Sequence, residues 1–213
     1  APDEIEDPRL WAEIICQWST LHPEFAFLPR KFKIAVTGAS HDRAAIKFHD
    51  IGLKMVKNDA GEIGFEVIVG GGMGRTPAIG PTIRGFLPKQ HLLSYLEAIL
   101  RVYNLLGRRD NLYKARIKIL VAATGTQEFA RLVEEEWARI KDGALALPQD
   151  EVARIEKYFT PPAYEKLPAI STELEAAKRG DAAFARWVRT NTHPHKVDGY
   201  SIVTISLKPV GET

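Results

Sequence analysis

An α+β fold, a mixed β-sheet flanked by helices, is what this 213-residue sequence predicts. Three features carry that expectation. Apolar residues alternate with period two through "IGLKMVK" and "IGFEVIVGG", the period changes to that of a helix after Pro88, and alternation returns after "HPHKVDGY". Strands, then a run of helices, then a strand favour a segregated α+β arrangement over a regular βαβ winding.

The opening "APDEIEDPRL" is acidic, carries two prolines and reads as a linker. Asp7-Pro8 opens a helix, since proline suits the first helical turn, and Trp11, Ile14, Ile15 and Trp18 follow at helical spacing. Pro23 and Pro29 bracket an extended passage into a strand over Lys31–Thr37. Ile51, Leu53 and Met55 share one strand face, "NDAG" supplies a turn, and Ile63, Phe65, Val67 and Val69 share a face of the returning strand, which together make a hairpin. The glycine run Gly70–Gly74 ends it.

Leu92, Leu93, Leu96, Ile99, Leu100, Tyr103 and Leu106 form a helical stripe, with Gly107 as its left-handed terminator. "NLYKARIKILVAAT" predicts a second helix. Phe129, Leu132, Val133, Trp137 and Ile140 mark a third, with Thr126 as N-cap. Val152, Ile155, Tyr158 and Phe159 suggest a fourth, and Glu173–Val188 divides at Gly180 into two short helices. Val203, Ile205 and Leu207 then share one face of a strand that either rejoins the first sheet or opens a second domain.

Apolar content of 45% and charged content of 26% are those of an ordinary globular chain. The net charge of +2 makes no case for nucleic acid or membrane. The single cysteine, Cys16, excludes internal disulfides and a cysteine-only metal cage, and amid Ile14, Ile15 and Trp18 it is expected to be a buried small hydrophobe. With no signal peptide and no apolar run long enough to span a bilayer, a cytoplasmic protein is the default expectation.

"FLPRKFKIAVTGA" sets three cations at the mouth of an apolar strand. Alternation puts Lys31 and Lys33 on one face and Phe32, Ile34 and Val36 on the other, the two ammonium groups about 6.6 Å apart along the strand. The pair is either a solvated strand end or an anion site, since an anion between them relieves their repulsion. "GGGMGRTP" is not a Walker loop, because no Gly-Lys-Ser/Thr follows. Its glycines and Arg75 either let the backbone approach a large flat group or make a sharp exit from the sheet. Arg108, Arg109, Lys114, Arg116 and Lys118 form a basic stretch, either solvated or in contact with phosphate or carboxylate. His193 and His195 lack partners for a metal site, and Glu134–Glu136 are expected at the surface.

Longer strings then identify a family. "LPRKFKIAVTGA", "HDIGL", "GFEVIVGGGMGRTP", "LLSYLEAILRVYNLLGRRDNLYKARIKILV" and "EFARLVEEEW" closely resemble the sirohaem-containing nitrite and sulfite reductase haemoproteins. The resemblance runs in order from about Trp11 to Trp137, and continues more loosely into "HPHKVDGYSIVTISLKP". It implies six-electron reduction of sulfite to sulfide or nitrite to ammonia, with electrons passing from a 4Fe–4S cluster to sirohaem and supplied by a ferredoxin or a flavoprotein subunit. It assigns Lys31 and Lys33 to the substrate anion as catalytic residues. It brings Gly70, Gly71, Gly72 and Met73 against the macrocycle and places Arg30 and Arg75 near its carboxylates.

The family's four cluster cysteines are absent, so the resemblance implies a central portion of a longer enzyme, inactive alone. On that reading residues 1–28 are linker and helix, 29–190 the first sirohaem and substrate domain, and 191–213 a linker and the first strand of a second ferredoxin-like repeat. The rival readings are a non-catalytic anion-binding module of the same fold and a nucleic-acid binder built on Arg108–Lys118.

Overall fold

The computed structural model describes residues 3–207, and parts of the expected segments at residues 1–2 and 208–213 lie outside them. Two compact units form, one over Glu4–Thr160 and one from Pro161 onward.

The first unit is built on a four-stranded mixed sheet in the order β1 (Ile34–Thr37), β2 (Ile51–Lys57), β3 (Ile63–Val69) and β4 (Thr82–Pro88). β1 runs parallel to β2, and β3 and β4 follow antiparallel. The α+β expectation is met. The hairpin β2–β3 is the one the alternation predicts, with Leu53, Met55, Phe65, Val67 and Val69 fully buried.

β4 is an addition to the sequence reading. Its stretch, "TIRGFLP", lacks clean alternation: Gly85 and Arg84 interrupt it, and irregular register against β3 accommodates them. β1 is shorter than expected, starting at Ile34 rather than Lys31. Lys33 still holds the next strand through its carbonyl, which accepts from the Ile51 amide at 3.1 Å.

Helices cover one side. α1 (Pro8–Ser19) starts where Asp7 accepts from the Arg9 amide, with Pro8 in the first turn. Its buried stripe is Leu10, Trp11, Ile14 and Ile15, and Trp11 meets Phe65 edge-on at 5.4 Å. Cys16 is exposed, contrary to expectation. One residue beyond Ile15 turns it about 100° away from the buried stripe.

A single-turn helix, α2 (Pro23–Ala26), precedes β1. The most buried helix is α3 (Leu92–Leu106), with Tyr95, Leu96, Ile99 and Leu100 at 0% exposure. Gly107 closes it with φ −65°, not in the left-handed region. Glycine is needed there for space, because a Cβ would sit 2.5 Å from the Tyr103 carbonyl oxygen.

The expected second helix is a 3-10 turn at Leu112–Lys114 followed by α4 (Ile117–Thr124). α5 (Thr126–Ile140) is capped by Gly125, and Thr126 already lies inside the helix with no capping bond. Glu134 and Glu136 are not simple surface groups. Glu134 accepts from Arg84 Nη1 at 2.7 Å and from the Tyr95 hydroxyl at 2.8 Å, and Glu136 from Arg101 at 3.1 Å. α6 (Gln149–Glu156) completes this unit.

The second unit holds α7 (Thr172–Gly180) and α8 (Ala182–Asn191), divided where the sequence predicts, with Asp181 capping α8. Of the expected terminal strand only β6 (Ser201–Val203) forms, paired with β5 (Thr192–Pro194) in a separate two-stranded sheet, while Ile205 and Leu207 lie beyond it and are exposed. β6 does not rejoin the first sheet.

Candidate functional site

Register sets up the site. Ile34, Ile51 and Val69 lie side by side across β1, β2 and β3. The residues just beyond them, Lys33, Asp50 and Gly70, therefore form one row at the end of the sheet. The Lys33 amide donates to Asp50 Oδ2 at 3.0 Å, and the Gly70 amide to the Asp50 carbonyl oxygen at 3.0 Å.

Lys31 and Lys33 are both exposed, while Phe32 between them is half-buried against Tyr103, ring centroids 5.8 Å apart. The alternation expected of this segment thus persists although Lys31 and Lys33 precede the strand itself. Beside it opens a cleft of about 490 Å³. Arg30, Arg75, Arg116 and Lys118 line it with positive charge, and Met73, Tyr113 and Ile119 give it an apolar wall.

The glycine run shapes this cleft from behind. Gly70 has φ +91°, a conformation suited to glycine. A Cβ on Gly71 would lie 2.2 Å from the Lys47 carbonyl oxygen, and one on Gly72 would crowd Lys118 at 3.0 Å and Arg116 at 3.2 Å. Gly72 and Ala78 exchange backbone hydrogen bonds of 2.9 and 2.8 Å, closing a small loop that carries Met73, Arg75 and Thr76 to the lip.

The residues of the basic stretch have four separate fates. Arg108 pairs with Asp110 at the surface, and Arg109 donates to the Phe27 carbonyl oxygen at 2.8 Å. Lys114 is exposed. Arg116 and Lys118 enter the cleft, a role that the sequence alone left open. Arg116 Nη2 bonds Asp50 Oδ1 at 2.8 Å, and its Nε is buried without a hydrogen-bond partner among the described residues. Lys118 Nζ donates to the Thr76 carbonyl oxygen. Burial and the neighbouring Arg116 charge push the Lys118 ammonium below its ordinary pKa.

Of the residues expected at a cofactor, the cleft brings together Arg30, Met73 and Arg75. Lys31 and Lys33 lie on the adjoining segment, and Gly70, Gly71 and Gly72 form its support. Thr76, Tyr113 and Ile119 were not anticipated, because nothing local marks a residue of mixed polarity as facing a cleft. His193 and His195 lie in the second unit, where His195 packs against Tyr164 and Tyr200. Among the described residues no group of three His, Cys, Asp or Glu is placed to hold a metal ion.

The lining suits a ligand that carries negative charge and an apolar surface. Four cations face it, one internal carboxylate opposes them, and an N–H of Arg116 is left unsatisfied. Sirohaem, an apolar macrocycle edged with carboxylates, would find both kinds of partner in this lining. A 4Fe–4S cluster held by four thiolates does not fit, because the chain has one cysteine.

Comparison with known proteins gives the family. The family model described as nitrite and sulphite reductase 4Fe-4S domain matches residues 1–141. The chain belongs to the nitrite and sulfite reductase family. A relative named sulfite reductase [ferredoxin] 1, from Mycolicibacterium paratuberculosis, is 32% identical over 151 residues, 68% of this chain and 26% of the relative. Sulfite reductase [ferredoxin] from Synechococcus elongatus is 38% identical over 120 residues, 53% of this chain and 19% of the relative. The sulfite reductase [NADPH] hemoprotein beta-component of Leptospira biflexa is 34% identical over 116 residues, 51% of this chain and 21% of that protein.

The solved structure of the Mycobacterium tuberculosis NirA protein superposes with a TM-score of 0.60 at 28% identity, over 65% of this chain and 25% of that one. The chain thus spans about a quarter or less of the length of these relatives. No helix of the described residues is long and apolar enough to cross a membrane.

Proposed function

We propose that this chain contributes the anion-binding and sirohaem-facing part of a sulfite reductase, an oxidoreductase that carries out the six-electron reduction of sulfite to sulfide. The observation that carries the reading is the cationic cleft beside Lys31 and Lys33. The relatives' names favour sulfite over nitrite as the substrate. The same names point to a ferredoxin or an NADPH-linked flavoprotein subunit as electron donor. A lone exposed cysteine suits a reducing, cytoplasmic setting.

Sulfite is a small oxyanion that loses its oxygens as water, so it needs nearby positive charge and proton donors. The two ammonium groups offer both. Each donates hydrogen bonds to the bound anion, and each can hand a proton to a departing oxygen. Arg30, Arg75, Arg116 and Lys118 would hold the carboxylates of sirohaem, and Met73, Tyr113 and Ile119 would pack on its apolar surface. When bound, sirohaem supplies the iron at which the anion is reduced. Burial and the Arg116 charge lower the Lys118 pKa, and a bound ligand that brings negative charge would oppose that shift. From residue 191 onward, where β5 and β6 pair, we place the start of the second repeat.

In the full-length enzyme, Lys33→Met is expected to lower sulfite turnover by about a hundredfold, the scale of losing one transition-state donor. Steady-state assays with sulfite and with nitrite check this, and unchanged sulfite turnover contradicts it. The 213-residue chain alone is expected to show no turnover, having one cysteine where a cluster needs four.

A further inference from the structure

Asp50 lies where every part of the site meets. Its side chain is 2% exposed. One carboxylate oxygen accepts from the Lys33 amide at 3.0 Å, the other from Arg116 Nη2 at 2.8 Å, and its carbonyl oxygen accepts from the Gly70 amide at 3.0 Å. A single residue thus ties together the two-lysine segment, the head of the glycine loop and a cation of the cleft. The next row inward, Ile34, Ile51 and Val69, is regular sheet, so Asp50 is mounted on the end of the sheet.

A buried carboxylate needs partners for both oxygens, because leaving it unpaired in a dry site is costly. Here each partner belongs to a different ligand-facing element. Shifting either element breaks a charge-assisted bond.

We propose that Asp50 is a positioning residue that fixes the spacing between Lys31–Lys33 and the cationic cleft, so that substrate anion and cofactor carboxylates are held by one rigid unit. This rests on the reading of the cleft and lysines given above. Asp50 touches neither ligand. It acts through Lys33 and Arg116.

Asp50→Asn isolates the electrostatic half of this role. The amide oxygen still accepts from the Lys33 amide, but the amide N–H₂ faces the Arg116 guanidinium, donor against donor, and releases it. Asp50→Ala removes both bonds.

The test uses the full-length holoenzyme. For Asp50→Asn the expected result is a sulfite KM raised about tenfold with kcat changed less than about threefold, the scale of losing an outer-shell partner. For Asp50→Ala the Lys33 amide is expected to exchange hydrogen at least about tenfold faster while the amides of Met55 and Phe65, deep in the sheet, keep their protection. Exchange is read independently of activity, and it remains readable if Asp50→Ala loses cofactor. The proposal is overturned if sulfite KM and Lys33 exchange stay at wild-type values, or if Met55 and Phe65 accelerate as much as Lys33, which marks a purely global loss of stability. Lys33→Met is run in parallel. If it leaves turnover intact, the anion-site reading fails, and the exchange data then judge the Asp50 contacts by themselves.

Discussion

The unit over Glu4–Thr160 and the unit from Pro161 onward are built to different standards. In the first, Trp11, Tyr95, Tyr103, Phe65 and Phe129 are all buried to 2% exposure or less, and the sheet is covered by α1, α3 and α5. In the second, none of the described residues is buried, Trp187 is 41% exposed, and the sheet is a two-stranded ribbon. Such ribbons are marginal in water, and most helix stability comes from packing an apolar face. The candidate site sits wholly on the first unit. A pocket that must hold charges in fixed positions requires the rigid element, and the difference teaches that the second unit gives little support of its own.

Several substitutions sharpen this contrast. Trp11→Ala removes a fully buried ring that packs on Phe65 and donates to Glu6 at 2.7 Å, and is expected to cost about 3–5 kcal/mol in denaturant unfolding. Trp187→Ala in α8 is expected to cost under about 1 kcal/mol, since its ring stacks only on Phe184 within a half-open surface. Equal losses at the two positions would erase the distinction.

Gly71→Ala comes next, because its Cβ would strike the Lys47 carbonyl oxygen; a loss of about 1–3 kcal/mol and a disturbed cleft are expected. Gly180→Ala, with open space around it, is expected to be neutral or to stabilise α7 by about half a kcal/mol.

The smallest effect is on pH dependence. Burial and the bond to Glu134 push the Tyr95 phenol above its ordinary value, and burial does the same for Tyr103. A folded-state pKa above the unfolded one means that the unfolded phenol ionises first. The stabilising contribution is complete below about pH 10 and declines as pH rises beyond it. Tyr95→Phe is expected to flatten the alkaline end of the stability profile of the first unit, as measured by denaturant midpoints at successive pH values. An unchanged alkaline slope would contradict the assignment.

Much of the first unit was legible because its periodicity is clean. β2 and β3 alternate with few exceptions, and α3 is apolar around most of its girth, so local pattern and tertiary burial agree. β4 escaped because Arg84 sits mid-strand, where it stacks over Trp137 at 4.5 Å and pairs with Glu134, so a charge occupies a packed position. Cys16 misled because apolar neighbours in sequence are not neighbours on a helix face.

In the site, Arg75 was readable as a cation beside a glycine run and Arg30 as one of three cations at the strand mouth; only the family resemblance linked them to one cofactor. Arg116 and Lys118 were readable as cations without partners, since Asp50 and Thr76 lie 66 and 42 residues away in sequence. The row Lys33–Asp50–Gly70 depends on parallel register between β1 and β2, which no local pattern encodes.

The central claim is that Lys31 and Lys33 receive the substrate anion beside a sirohaem held by this cleft. Sulfite titration of the sirohaem absorption spectrum, in the full-length enzyme and in its Lys31→Met/Lys33→Met double variant, tests it most directly. The account expects a saturable spectral change in the wild type and a loss of sulfite affinity of at least about a hundredfold in a variant that keeps its sirohaem. Equal sulfite affinity in both proteins would contradict it.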